Sequence, residues 1–320
     1  MANPNISQLL STTMENQKAT VVDNIAENNI IFLKLKERGR ILKQSGGTTF
    51  RETLSYAENA TIQSQGAYDT YDTAPQDVIT SADFDQKIIT GTITMTDLEA
   101  NQNNGKEQII PLMKAKMDVL KTSFDNVFGD QSYSDGTGEG GNEIGGLQLL
   151  VADDPTTGTV GGINRATSTN TFWRNQLYDF SVESVTPSAT TIQSSMNVLY
   201  RRCQTQGGQL VDLITAGDTY FGYFEDSLQA NQRFSNGDMA KLGFDSYKYK
   251  AADVVYDTKC NDARMYFLNT RHLSYKYIGD SMMSVGSATR PHNQGITVVP
   301  MTSMGNLTIT NARVHGVMIA

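Results

Sequence analysis

The stretch Gly105–Phe128, GKEQIIPLMKAKMDVLKTSFDNVF, sets Ile109, Met113, Met117, Leu120, Phe124 and Val127 at steps of four and three. That spacing is one apolar face of a long helix. Asn103 or Asn104 can cap its start, Gly129 can end it, and at about 1.5 Å per residue the stretch gives roughly 36 Å of rod. Pro111 has no N–H to give to the preceding turn, so a kink or a loose first turn is expected between Gly105 and Pro111. A strand leads into the rod, because Ile89, Ile93 and Met95 alternate with threonines from Lys87 onward.

Composition narrows the function classes around this rod. The chain has 320 residues, 38% hydrophobic, enough for an ordinary buried core in one elaborated domain or two. Its net charge of −8 argues against holding nucleic acid through a broad basic surface. The two cysteines, Cys203 and Cys260, stand far apart and write neither a zinc knuckle nor a disulfide framework. A reducing compartment is expected. The start, MANPNISQLLSTT, has no basic region before an apolar core, and no apolar run reaches the ~18 residues of a membrane span. The reading is a protein made and used in the cytosol, or released by lysis.

On the N-terminal side, Ile6 to Arg38 reads as one or two amphipathic helices broken near Asn28-Asn29, an arm whose sticky face includes Ile31 and Phe32. Gly46-Gly47 then opens a hairpin, with Phe50, Leu54 and Tyr56 alternating on the outgoing strand and the return at about Asp77 to Gln86. Between the strands, Ala57 to Pro75 has only Ile62, Tyr68 and Tyr71 as large apolar residues. It cannot fold a core of its own, which suggests that it lies on a neighbouring molecule. On the C-terminal side, the glycines from Gly136 to Gly146 make a flexible crossing and a candidate domain boundary. Trp173 is expected to anchor a loop or small core. Ile192, Met196, Leu199 and Cys203 signal a helix ending at Gly207-Gly208, followed by the buried-strand run LVDLITAG. Asp218 caps a third helix reaching about Phe234. Strands dominate from Tyr247: Asp253 to Tyr256, Met265 to Asn269, Ile296 to Val299 and Asn306 to Ile319.

Gly136, Gly138 and Gly141 satisfy G-x-G-x-x-G, but they follow a helix and open none, so they read as hinge and not as a phosphate cradle. Gly279-Asp280-Ser281 resembles the start of a Gly-Asp-Ser hydrolase block, with His292 or His315 as conceivable activators. No G-x-S-x-G elbow accompanies it, and loop serine is the favoured reading. His272, His292 and His315 have no metal-site spacing, and Asp130 and Asp135 match no calcium loop. No catalytic, cofactor-binding or metal constellation results, and the expectation is a protein that is not an enzyme.

The order of parts resembles the major capsid protein of tailed bacteriophages, the Hong Kong 97-type capsid fold. The resemblance rests on collinear phrases over nearly the whole chain: LKERGRI (Leu35 to Ile41), SGGTTF, LSYAEN (Leu54 to Asn59), SADFDQK (Ser81 to Lys87), NNGKEQII (Asn103 to Ile110), EIGGLQLLV (Glu143 to Val151) and VGGIN (Val160 to Asn164). Later come LQANQRF (Leu228 to Phe234), LGFDSYKYK (Leu242 to Lys250), MYFLNT (Met265 to Thr270), RPHNQ (Arg290 to Gln294) and GNLTITNARVHG (Gly305 to Gly316).

The resemblance implies an α+β chain divided into an N-terminal arm (1–41), an extended loop hairpin (42–86), a peripheral domain with strand and spine helix (87–144), an axial α/β domain (145–290) and returning peripheral strands (291–320). It implies pentamers and hexamers of an icosahedral virion head, assembled in the bacterial cytoplasm around double-stranded DNA that is touched only non-specifically. Candidate intersubunit contacts are Ile62, Tyr68, Tyr71, Ile31 and Phe32. Candidate hinges are Gly46, Gly47, Pro111, Gly140 and Gly141. Expected partners are the chain itself, a portal protein, a separate scaffolding protein and a cement or decoration protein, with no membrane and no cofactor. Chain-mail members crosslink a hairpin lysine to a neighbour's asparagine, yet no lysine lies between Gln44 and Gln86, so a non-crosslinked shell is expected. No scaffolding domain is expected before the arm. The alternative is an encapsulin-type nanocompartment shell.

Overall fold

The computed structural model describes residues 29–102, 106–205, 210–228 and 246–320, with side chains described outside 100–115, 205 and 246. The arm before Asn29, the Asn103-Asn104 cap, the Gly207-Gly208 stop and the segment 229–245 lie outside the described residues.

Strands follow in the order β1 (Ile41–Gln44), β2 (Thr49–Ser55), β3 (Ile79–Asp85), β4 (Lys87–Thr96), β5 (Thr159–Val160), β6 (Ile163–Asn164), β7 (Gln176–Asp179), β8 (Leu213–Ala216), β9 (Ser246–Tyr249), β10 (Ala252–Tyr256), β11 (Arg264–Leu268), β12 (Leu273–Ile278), β13 (Ser284–Val285), β14 (Ile296–Ile309) and β15 (Gly316–Ile319). They form two main sheets. One has the order β1-β12-β14-β13 with β4 along β14, and the other the order β7-β15-β11-β8-β10-β9. The two short hairpins are β2–β3 and β5–β6.

The six-stranded sheet is covered on both faces. Met265 and Phe267 of β11 join one apolar cluster, with helices Ile192–Thr205 and Asp218–Ser227, while Tyr266 and Leu268 join the other. Alternation along a strand sends neighbours to opposite faces, so a sheet buried on both sides reads as continuous apolar sequence. That is why LITA of β8 is buried at every position. Helix Ile192–Thr205 buries Ile192, Met196, Leu199 and Cys203, the stripe its spacing predicts. In the second helix Asp218 is the first helical residue and not the cap. Gly217 occupies the cap position with no side-chain bond, and a Cβ there would collide with the Asn261 backbone.

The long helix is Lys106–Ser132, and it runs across position 111. Met117 and Phe124 enter the core with Leu120 beside them, whereas Val127 turns partly outward and Phe128 takes the next inward place. Gly129 does not end the helix. A Cβ on it would stand 3.3 Å from Lys259 Cγ, so the small residue serves close approach instead. Gly91 does the same in β4, where a Cβ would lie 2.7 Å from Leu120 Cδ1 and from Phe124 Cε2. The glycine crossing is also anchored: Gly145 N–H donates to Asn306 Oδ1 at 3.0 Å, and a Cβ on Gly146 would strike Gln131 O. Ile144, Leu147, Leu150 and Val160 beyond it share the long helix's core, so no boundary of packing falls at 144/145.

Sheet membership does not follow chain order on the two sides of 290/291. β12, inside 145–290, belongs with β4 and β14, and β15, inside 291–320, closes the six-stranded sheet. β12 adds a strand to those expected from the sequence.

Candidate assembly surfaces

Ile31 and Phe32, expected as intersubunit contacts, are each 1% exposed in their own subunit. Helix Ile30–Glu37 starts at Asn29, whose Oδ1 accepts from Ile31 N–H at 3.1 Å and Phe32 N–H at 3.3 Å. Its residues Ile30 to Leu35 are all buried, including Lys34, whose Nζ reaches Asp253 Oδ2 at 2.9 Å. Phe32 meets Phe128 at 5.3 Å and Tyr275 at 4.8 Å, ring centre to ring centre, and so ties the long helix to β12. Apolar residues on every side of a helix predict burial, and the sequence alone does not say whether the covering surface is the same chain or another.

The hairpin divides into a docked base and an exposed tip. At the base Thr49 pairs with Asp85 and Leu54 with Thr80, and Phe50, Leu54, Ala82 and Phe84 are buried. Glu52 is held by Lys276 Nζ at 2.8 Å and by the Thr308 hydroxyl at 2.7 Å. Asp83 N–H donates to Gly161 O at 2.9 Å, where Gly161 has φ +58° and a Cβ would stand 2.8 Å from that of Ala82. The tip is different: Ile62 is 84%, Tyr68 100% and Tyr71 84% exposed. Solvation of three such side chains leaves an area that burial against another surface would remove from water, at about 25 cal/mol per Å2.

At the foot of the tip a groove of about 640 Å3 runs between the hairpin and the β5–β6 region, lined by Tyr56, Asp77, Ile79, Asn164, Asn170 and Phe172 among others. Tyr56 and Phe172 face each other at 5.4 Å. Of the candidate hinges, Gly47, Gly140 and Gly141 have φ of +119°, +72° and +84°, a region that favours glycine. Gly46 has open space around its Cα.

The residues of the weighed motifs are not brought together as a catalytic set. Ser281 Oγ donates to the carbonyls of Ile278 and Met304. His315 is fully buried, with Nδ1 accepting from Asn269 N–H at 3.3 Å, and burial lowers its pKa to about 3. His272 Nδ1 pairs with Thr310 Oγ1 at 2.9 Å. Burial pushes the Cys203 thiol up to about 12 and the Cys260 thiol higher still. Trp173 anchors its loop by donating Nε1–H to Val160 O at 2.9 Å. Beside it the fully buried Arg165, which sequence reading missed, donates to the carbonyls of Trp173, Leu149 and Leu150. Its pKa is lowered to about 10 by that burial.

No protein-family model matches the chain, and no curated protein matches it in sequence. Solved structures match its shape. The capsid asymmetric unit of cyanophage A-1(L) superposes with a TM-score of 0.67 at 16% identity, covering 88% of this chain and 90% of that one. The capsid of Myoviridae phage XM1 gives 0.57 at 11% identity, over 89% and 91%. The holo-SrpI encapsulin complex of Synechococcus elongatus gives 0.54 at 8% identity, over 91% and 88%. These matches, each over about nine-tenths of the chain, establish that it has the mixed α+β Hong Kong 97-type fold of capsid and encapsulin shells.

Proposed function

We propose that the chain is the major capsid protein of a tailed bacteriophage, a structural subunit and not an enzyme, whose pentamers and hexamers close an icosahedral head around double-stranded DNA. The observation that carries the reading is the hairpin. Its base is fixed by buried residues and an internal ion pair, while its tip presents Ile62, Tyr68 and Tyr71 with no cover among the described residues. Such a projection is useful to a molecule that packs against copies of itself. Moderate, partly polar contacts of this kind let wrong encounters dissociate before closure. The cyanophage A-1(L) capsid superposes with a TM-score of 0.67 against 0.54 for the encapsulin, which supports the phage reading over the nanocompartment.

Within this reading Gly46, Gly47, Pro111, Gly140 and Gly141 absorb the differences between pentamer and hexamer environments. Portal, scaffolding and cement proteins are the expected partners in the virion. A shell without hairpin lysines is held by contacts, not crosslinks; the adjacent Lys43 is 2.8 Å from Asp280 of its own chain. The encapsulin reading stays as the second because a subunit of that class also aligns over most of the chain.

Negative-stain electron microscopy of the full chain expressed alone, paired with sedimentation velocity, tests the proposal. Closed or tubular particles with rings of five and six are expected, and nuclease-protected DNA in particles from infected cells separates a virus from a nanocompartment. A sharp monomer or dimer that forms no particles, even with a scaffolding candidate added, would overturn it.

A further inference from the structure

A chain with a net charge of −8 gathers arginines at one place, where the connections between its two sheets meet. Arg38 and Arg40 lie between helix Ile30–Glu37 and β1, and Arg271 lies between β11 and β12. An ion pair and several hydrogen bonds bring these segments together. Arg38 Nη2 is 3.3 Å from Asp212 Oδ2, and the same carboxylate accepts from Thr270 N–H at 2.8 Å and from the Thr270 hydroxyl at 2.5 Å. Tyr275 N–H donates to Arg40 O at 3.0 Å. His272 stands close enough to Arg40 and Arg271 for both charges, after burial, to lower its pKa. A fourth arginine, Arg313, is on the turn Ala312–Val314, just past Thr310, whose N–H donates to His272 O at 2.9 Å.

Neighbouring carboxylates neutralise only Arg38 of this group. Asp212 is shared with Thr270 and Arg38, and Glu37 lies 3.2 Å from Lys34. Among the described residues no ion pair engages Arg40, Arg271 or Arg313, and Arg40 Nε is buried without a hydrogen-bond partner. Like charges held together raise the free energy of the isolated subunit, and an anionic partner relieves that. Arginine's planar fork of donors suits phosphate oxygens. A docked peptide would want an apolar anchor as well as charge. None of the exposed large apolar residues lies among 34–40, 269–272 or 310–315.

We propose that Arg38, Arg40 and Arg271, with Arg313 at the margin, form a phosphate-contacting patch that holds the backbone of a DNA duplex without reading its sequence. The inference rests on the capsid reading for the presence of DNA and adds to it the place where an otherwise acidic subunit touches that DNA. Packaged DNA then slides past most of the subunit and is retained at this one patch.

The test is fluorescence anisotropy of a labelled duplex of about 20 base pairs with the full-length, unassembled protein across a salt series. Each phosphate neutralised contributes about −0.9 to the slope of log K against log salt, so the two arginines without a carboxylate partner, Arg40 and Arg271, predict a slope of about −1.8. The double variant Arg40→Gln/Arg271→Gln should bind more weakly and flatten the slope by about 1.8. A control that also removes two charges, Lys43→Gln/Arg290→Gln, takes cations already paired with Asp280 and Asp97 and should leave the slope near that of the parent. In the unaltered protein, duplex addition should raise the His272 pKa read by NMR, since phosphates offset the two arginines.

Equal slopes for the double variant and the control, no binding by the parent at low salt, or an unmoved His272 would overturn the patch. Competition by polyglutamate as effective as by unlabelled duplex at equal charge would overturn its assignment to DNA. Microscopy of the same preparations keeps the two readings apart. Particles that form normally from the double variant while duplex binding is lost support the patch. Arginine-dependent binding by a parent that never forms particles supports the patch and counts against the capsid.

Discussion

The hairpin tip and the helix-covered face of the six-stranded sheet use similar residues to opposite ends. Tyr68 and Tyr71 stand in solvent, while Tyr220, at the start of helix Asp218–Ser227, is fully enclosed. The sheet face gathers its apolar side chains from six strands and two helices, so each covers its neighbours within one subunit. The tip has too few apolar residues in sequence to cover any of them. One region therefore sets the stability of the monomer, and the other leaves its apolar area in solvent.

Deleting Ala57 to Pro75 should have the largest effect on that contrast: soluble capsomers with an unchanged melting temperature and no closed shells by microscopy. Normal shells from this variant would remove the distinction. Leu199→Ala strikes the other side. Leu199 is fully buried and packs at Gly316, and its truncation should cost about 2–5 kcal/mol in denaturant unfolding of capsomers. Gly161→Ala, at the seam between hairpin base and β5–β6, combines a positive φ with a collision at Ala82, and should cost about 1–3 kcal/mol. It should also shift the hairpin's hydrogen-exchange protection, if the base is docked as described.

The joint between the sheets adds a pH arm. His315 is neutral when folded because burial lowers its pKa to about 3, against about 6.5 when unfolded. The unfolded chain thus binds the extra proton below 6.5, so this stabilisation is complete above that pH and is lost as pH falls toward 3. The slope is about 1.4 kcal/mol per unit where only the unfolded state is protonated. A melting series from pH 7 to 5 should decline, and His315→Gln should flatten it. The smallest effect is expected of Lys43→Gln, an exposed pair with Asp280, where no measurable change in melting temperature should follow.

Much of this architecture was legible in the chain. Period-four spacing found the helices from Ile192 and through Met117 and Phe124, and alternation found the hairpin strands to within two or three residues. Gly129 and Asp218 misled because a glycine and an aspartate at a helix end are usually signals about backbone and cap, whereas here Gly129 admits Lys259 and Gly217 admits Asn261. In β12, LSYKYI sets Leu273, Tyr275 and Tyr277 against Ser274 and Lys276, the alternation that marks a strand, and the structure places it between β1 and β14. Arg165 gave no signal, since a buried arginine without a carboxylate partner is satisfied only by carbonyls that folding collects.

By itself, then, the sequence determined the order and type of the main elements, and the poverty of core residues in the hairpin tip, because these depend on spacing along the chain. Only the tertiary structure decided that Ile31 and Phe32 are satisfied at home, that β12 and β15 exchange sheets relative to a linear division, and that the segments carrying Arg38, Arg40 and Arg271 meet at one joint. Those facts depend on which distant segments share a face, and no local period records that.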